Sequence, residues 1–219
     1  GSHGVGVDNI DVRAATERGI YVVNTPRANT NSVAEHCVGM MIALSKDFLT
    51  LDAAVRRGDW KARYRYTGRE LQGKILGLIG FGHIGQRVAT ICHHGFGMQI
   101  LYQDIVDYGP VAEELEARRV ELEVLLREAD YVSIHVPLRP ETKHLVGSRE
   151  LALMKPTAVL LNLARGAIVH ERALAEALQK GMIAGAGVDV FAEEPPPANS
   201  PLLASKNTIL SPHSAALTD

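Results

Sequence analysis

The chain has 219 residues, 46% of them hydrophobic and 22% charged, with a formal net charge of −2. That is enough apolar material for one large core, or for one core and part of a second. The near-neutral balance and a pI near 6.5 argue against nucleic acid or an anionic membrane as partner, since both call for a basic face. Cys37 and Cys92 are its two cysteines, both in apolar helical contexts. The sequence therefore predicts no disulfide framework and a reducing, cytoplasmic setting. The longest apolar run, residues 38–44, is far too short to cross a bilayer.

Along the chain, Gly1-Ser2-His3 reads as the scar of a cleaved purification tag. Both ends fall inside patterned sequence, so the chain is expected to be a piece of a longer one. Residues 11–18 predict a short helix stopped by Gly19, and residues 20–23 a strand. Ser32 with Glu35 forms a candidate capping box. The helix it opens carries Val33, Cys37, Met40, Met41 and Leu44 on one side and is expected to run to about residue 57, with Gly58 as its stop. Such a length suits a connector between domains. Residues 59–73, polar and punctuated by glycine, predict a loop.

Ile75–Ile79 is an unbroken apolar run, the mark of a strand buried on both faces. A glycine-rich turn, a helix over residues 84–93 and a strand at Gln99–Gln103 follow. Further strands are expected at 131–135, 158–162, Gly185–Val188 and Thr208–Leu210. Helices fall between them, notably 121–128 and 171–180, the second stopped by Gly181. This alternation predicts an α/β fold, a doubly wound parallel sheet of the Rossmann type.

The glycine-rich turn is Gly80-Phe81-Gly82-His83-Ile84-Gly85. Gly80 permits a tight turn, Gly82 lets backbone approach a pyrophosphate, and Gly85 allows close packing of helix on strand. The helix that follows offers its unpaired N–H groups and positive dipole end to phosphate. Asp104 lies nineteen residues beyond Gly85 at the end of the next strand, near the spacing of about 20 expected of a ribose-binding carboxylate. A carboxylate there accepts from both ribose hydroxyls and repels a 2′-phosphate, so NAD is expected rather than NADP.

Three later strands end in charged groups. They are Asn162-Leu163-Ala164-Arg165-Gly166, Asp189-Val190-Phe191-Ala192-Glu193-Glu194-Pro195, and Ser211-Pro212-His213. In open parallel sheets ligands bind outside the carboxyl ends of strands, so all three would face one crevice. Singly, a histidine after Ser-Pro is an ordinary turn residue, and an arginine or a run of acids is ordinary surface. Their joint order is not ordinary.

With Gly4-Val5-Gly6-Val7-Asp8-Asn9-Ile10-Asp11, Asn24-Thr25-Pro26 and His135-Val136-Pro137-Leu138, these segments make the chain resemble the D-isomer-specific 2-hydroxyacid dehydrogenases. Among its branches the chain looks most like the D-3-phosphoglycerate dehydrogenases, with glyoxylate/hydroxypyruvate reductases and D-lactate dehydrogenases as relatives. The resemblance implies an NAD-dependent oxidoreductase of small 2-hydroxy and 2-keto acids. It makes His213 the general acid/base and Glu194 the carboxylate that hydrogen-bonds it, with Glu193 as the competing assignment. Arg165 would bind the substrate carboxylate and polarise the carbonyl. Asp189 would orient the nicotinamide amide.

On the same basis the cofactor is held by Gly80, Gly82, His83, Ile84, Gly85, Asp104, His135, Val136, Pro137, Thr142, Leu163, Ala164, Arg165, Asp189 and His213. Val5 and Gly6, with Arg165, would hold the substrate. The resemblance divides the chain into residues 4–24 from a substrate domain, 25–213 as the NAD-binding domain with a dimerisation helix, and 214–219 returning to the substrate domain. It implies a homodimer, and a 219-residue chain that binds NAD but turns over poorly by itself. A rival reading is an NAD-sensing protein of the same fold, as in corepressors of the C-terminal-binding-protein type. The Ser32-Val33-Ala34-Glu35 run is more like the metabolic enzymes. His36, His93, His94, His144 and His170 show no metal-ligand spacing, so no metal is expected. Met40, Met41 and Trp60 are read as packing residues.

Overall fold

A computed structural model describes residues 1–218 except His3 and Val5. In chain order, helix α1 spans Val12–Glu17, α2 Thr30–Lys46 and α3 Phe48–Arg56. Strand β1 (Ile75–Ile79), α4 (His83–Phe96) and β2 (Gln99–Gln103) follow, then α5 (Gly109–Glu114), β3 (Arg118–Arg119), α6 (Leu122–Glu128) and β4 (Tyr131–Ile134). The remainder is α7 (Ser148–Leu153), β5 (Val159–Asn162), α8 (Glu171–Gln179), β6 (Gly185–Val188) and β7 (Thr208–Leu210).

The seven strands form one sheet in the order β3-β2-β1-β4-β5-β6-β7, and every pair is parallel. Because successive side chains on a strand point to opposite faces, the sheet builds two cores. Leu76, Leu78, Tyr131, Val159 and Leu161 pack under α2 and α4 with Cys37, Met41, Val88 and Cys92. Ile79, Val132, Ile134, Leu160 and Val188 pack on the other face with Leu125, Leu126, Leu151 and Leu174. The sheet is thus covered on both sides, as the apolar runs predict. The strand order reverses between β1 and β4, which opens a crevice above that point.

Several expectations need correction. Residues 20–23 are not a strand: Ile20, Tyr21 and Val23 are exposed, and the nearby pairing is a single bridge between Ser2 and Asn24. A β-rich tetrapeptide is a strand only where a neighbour supplies a ladder. The predicted capping box is absent. The helix begins at Thr30, after Asn29, and the Ser32 hydroxyl instead pairs with Thr218 at 2.6 Å.

The long helix is two helices, broken at Asp47, which sits in the left-handed region at φ 50°. Aspartate tolerates that conformation better than most residues, so the break needs neither glycine nor proline. The loop over residues 59–73 contains a 3₁₀ turn, Trp60–Tyr64. Strand 131–135 stops one residue earlier, strand 158–162 starts one later, and helix 84–93 runs on to Phe96, where Gly97 ends it at φ 63°. Helices 121–128 and 171–180 each shorten by one residue. The glycine stops at 19, 58 and 181 all have positive φ.

Candidate functional site

All the chemistry-bearing residues singled out in the strand-end motifs lie at one edge of the sheet, because parallel strands end on the same side. Gly80 leaves β1 at φ 95°, a conformation that favours glycine. A Cβ there would stand 2.8 Å from the His135 carbonyl carbon. A Cβ on Gly85 would stand 2.4 Å from the Gly80 carbonyl oxygen. Both glycines are therefore required by backbone-to-backbone contact. Gly82, the residue before α4, meets nothing within 4 Å, so open space lies over the helix N-terminus, where His83 is exposed and Ile84 half-buried.

Asp104 closes this wall. Its Oδ2 accepts from the Phe81 N–H at 2.7 Å, and its Oδ1 accepts from Val106 N–H at 2.9 Å. An ionised carboxylate has about four lone-pair sites, so capacity remains for ribose hydroxyls. The space above Gly82, the free helix end and this carboxylate fit a dinucleotide.

Across the crevice, the His135 N–H donates to the Ile79 carbonyl at 2.7 Å, and its Nε2 lies 2.8 Å from the Ser133 hydroxyl. Burial pushes the His135 imidazole down to about 4, which keeps it neutral near neutral pH. Val136 and Pro137 lead away over the β1 end. The Thr142 hydroxyl donates to the Pro137 carbonyl at 2.7 Å and accepts from the Arg139 N–H at 2.8 Å. Thr142 therefore closes its own loop.

The charged segments meet beyond β5, β6 and β7. Buried Asn162 pins the turn after β5: its amide donates to the Arg165 carbonyl at 3.0 Å, and its oxygen accepts from Ala164 N–H at 3.2 Å. Leu163 is buried beneath this turn. Next, Gly166 lies against the following strand end, where a Cβ would stand 1.9 Å from the Phe191 carbonyl carbon. That contact sets Arg165 beside the segment carrying the acids. Glu194, rather than Glu193, meets the histidine. Its Oε2 is 2.8 Å from His213 Nδ1, and its Oε1 accepts from the Phe191 N–H at 3.0 Å.

Asp189 is almost fully buried. Its Oδ1 accepts from the Ser211 hydroxyl at 2.5 Å and the Ser214 N–H at 2.9 Å, and its Oδ2 from the Ala215 N–H at 3.0 Å. The carboxylate thus grips the turn that presents His213, whose own N–H donates to the Asp189 carbonyl at 2.7 Å. Arg165, Glu194 and His213, with Gly4, Gly6 and Asp8, line one cavity of about 530 Å³.

Of the substrate-side residues named from sequence, Val5 lies outside the described residues, and Gly6 faces the Arg165 guanidinium. Sequence reasoning missed Asp8, which pairs with Arg165 Nε at 2.5 Å, although Asp8 stands within a motif it singled out. It also missed Glu171, whose carboxylate accepts from the Ala192 N–H at 2.5 Å, and Ser211. Their signal is weak in sequence because each is an ordinary polar residue whose partner lies on another segment. Among the described residues there is no group of three potential metal ligands, and no helix is long and apolar enough to cross a membrane.

Residues 38–215 match the family model described as D-isomer specific 2-hydroxyacid dehydrogenase, NAD binding domain. The chain is 45% identical to a protein named glyoxylate reductase from Thermococcus litoralis, over 99% of this chain and 66% of that one. It is 47% identical to one named D-3-phosphoglycerate dehydrogenase from Methanocaldococcus jannaschii, over the whole chain and 41% of that relative. Among solved structures, D-lactate dehydrogenase from Aquifex aeolicus, complexed with NAD and lactic acid, superposes with a TM-score of 0.90. The identity there is 34%, covering 99% of this chain and 70% of that one. The chain thus spans 66% of the first of these relatives, just under two thirds of its length.

Proposed function

Because the chain belongs to the D-isomer-specific 2-hydroxyacid dehydrogenase family, we propose that it transfers a hydride between NAD(H) and a small D-2-hydroxy or 2-keto acid. One observation carries the reading: Arg165 and the Glu194–His213 pair converge on a single cavity at the carboxyl edge of the sheet. The bound dinucleotide supplies the hydride donor or acceptor, and the chain's own residues supply position and charge. Gly80, Gly82, His83, Ile84 and Gly85 would seat the pyrophosphate, with Asp104 on the ribose.

His213 points Nδ1 at Glu194, which leaves Nε2 for the substrate oxygen. In the reducing direction Nε2 gives its proton to the carbonyl oxygen, and in the oxidising direction it takes that proton back. Glu194 holds the orientation of the ring through its hydrogen bond to Nδ1. Arg165 would bind the substrate carboxylate and draw electron density from the adjacent carbonyl, a task suited to a fixed guanidinium. Asp189 acts on this chemistry through the turn it grips, and the family resemblance also assigns it contact with the nicotinamide amide. We assign residues 25–213 to the NAD-binding domain and residues 4–24 and 214–219 to segments of a substrate domain.

The names of the relatives favour catalysis over NAD sensing. Assaying the full-length protein with NADH and a panel of 2-keto acids tests the reading. Turnover of glyoxylate or hydroxypyruvate is expected, and negligible turnover with intact NADH binding would favour the sensor. We further infer a homodimer. Phe48, Leu49 and Val55 of α3, with Trp60 and Tyr64 of the 3₁₀ turn packed beside it, are large apolar side chains left exposed, as at interaction sites. Sedimentation should show two copies. Buried Cys37 and Cys92, both free thiols, suit a cytoplasmic location.

A further inference from the structure

The guanidinium of Arg165 touches the adjacent Ala164 and, from the other side of the sequence, Gly6 and Asp8. Nη1 donates to the carbonyl of Ala164 at 2.7 Å. Nε donates to Asp8 Oδ2 at 2.5 Å, across 157 residues of sequence. Nη2 crosses the backbone of Gly6, where an added Cβ would stand 1.5 Å from it. The Nη2 tip therefore abuts the glycine end-on, and the guanidinium is held along its Nε side by Asp8. In this position Arg165 lines the cavity that also holds His213.

An arginine has several flexible torsions, and ordering such a side chain costs free energy at the moment it binds a ligand. A carboxylate already attached to Nε removes that freedom before substrate arrives. Burial raises the Asp8 carboxyl, but its hydrogen bond and charge pairing with Arg165, with a smaller contribution from His213, together hold it below its ordinary range. Asp8 is thus charged at any pH at which the enzyme would work.

We propose that Asp8 is a positioning residue for the proposed reaction: its hydrogen bond to Nε, with the contact of Nη2 on Gly6, fixes the Arg165 guanidinium in the cavity where the substrate carboxylate would bind. This rests on the functional reading above. It also gives Gly6 a second duty, since any side chain there would displace the guanidinium. The function needs an acceptor at Asp8 rather than a negative charge.

The test uses three full-length proteins: wild type, Asp8→Asn and Asp8→Ala. Asparagine keeps an oxygen that accepts from Nε, and alanine does not. The expected result is a rise of about tenfold or more in the KM for glyoxylate in Asp8→Ala, with a smaller change in kcat, and a change within about threefold in Asp8→Asn. NADH affinity should stay level in both, because Asp8 lies outside the cofactor wall. Equal losses in the two variants would overturn the proposal, since charge would then be the feature that matters. So would unchanged kinetics, or a lowered KM in both, which would make Asp8 a competitor of the substrate. The Arg165 Nε–H resonance gives a readout independent of turnover. It should be protected from exchange in wild type and Asp8→Asn and lost to solvent in Asp8→Ala. Protection retained in Asp8→Ala would overturn the proposal. A wild-type protein that shows the protected resonance but reduces no 2-keto acid would instead count against the functional reading.

Discussion

Around residues 80–85 the crevice wall is backbone against backbone, whereas around Arg165 and His213 it is side chain against side chain. On the first side, Gly80, Gly85 and the His135 carbonyl touch so closely that a single added methyl would collide. Its polar contacts are main-chain N–H groups and one carboxylate, all brought together by the contiguous unit of β1, α4 and β2. On the second side, the side chains of Arg165, Asp8, Glu194 and His213 are 28%, 45%, 40% and 47% exposed. They come from four separate segments and depend on pairings across the crevice. A wall of the first kind is rigid and recognises a shape common to all dinucleotides. The second kind is adjustable and decides which chemistry occurs. Changes on the two sides should therefore fail in different ways.

The largest effect is expected from His213→Ala. Loss of the proposed general acid should lower kcat by about a hundredfold to ten-thousandfold while NADH binds as before, which separate turnover and titration measurements would show. Equal loss of NADH affinity would break the distinction between the two sides. Gly166→Ala should come next, because its Cβ would stand 1.9 Å from Phe191 backbone. It should push Arg165 away from Glu194, lowering kcat/KM by about a hundredfold and destabilising the fold by about 1–3 kcal/mol. A denaturant melt and steady-state kinetics would check both parts.

Gly85→Ala should act on the other wall. The added methyl must move α4 off the Gly80 carbonyl, so the Kd for NADH should rise by about tenfold or more while the pairing of His213 with Glu194 stays intact. Calorimetric titration measures the first, and the pH dependence of the histidine resonance the second. The smallest effect is a slope in stability with pH from His135. Above about pH 6.5 the ring is neutral in both folded and unfolded chains. As pH falls from there toward about 4, the unfolded chain takes up a proton that the folded one refuses. Stability should therefore drop by roughly 1–2 kcal/mol between pH 7 and pH 5. His135→Gln, which can still pair with Ser133, should flatten that part of the curve.

The same contrast explains what the sequence disclosed. The glycine turn was legible because its three constraints lie within six residues, and each has a residue type that satisfies it. Most strands were legible for a similar reason, since burial on both faces leaves an unbroken apolar run. Residues 20–23 misled because a strand is a relation to a neighbour, and local composition does not record one. The break at Asp47 was hidden by apolar spacing that continues through Phe48 and Leu51 although α3 turns away. Ser32 had the residue type of a cap, yet a partner far along the chain, Thr218, claimed its hydroxyl. On the charged side, Arg165, Glu194 and His213 were legible only together and through resemblance. Asp8 and Glu171 became visible when folding brought their partners to them.

Isotope transfer in the full-length protein tests the central claim most directly. With NADH carrying deuterium at the transferring position and hydroxypyruvate as acceptor, the account predicts D-glycerate bearing the label on the carbon that was the ketone. His213→Ala should slow its formation without changing where the label lies. Product of the L configuration, or product without label, would contradict the account.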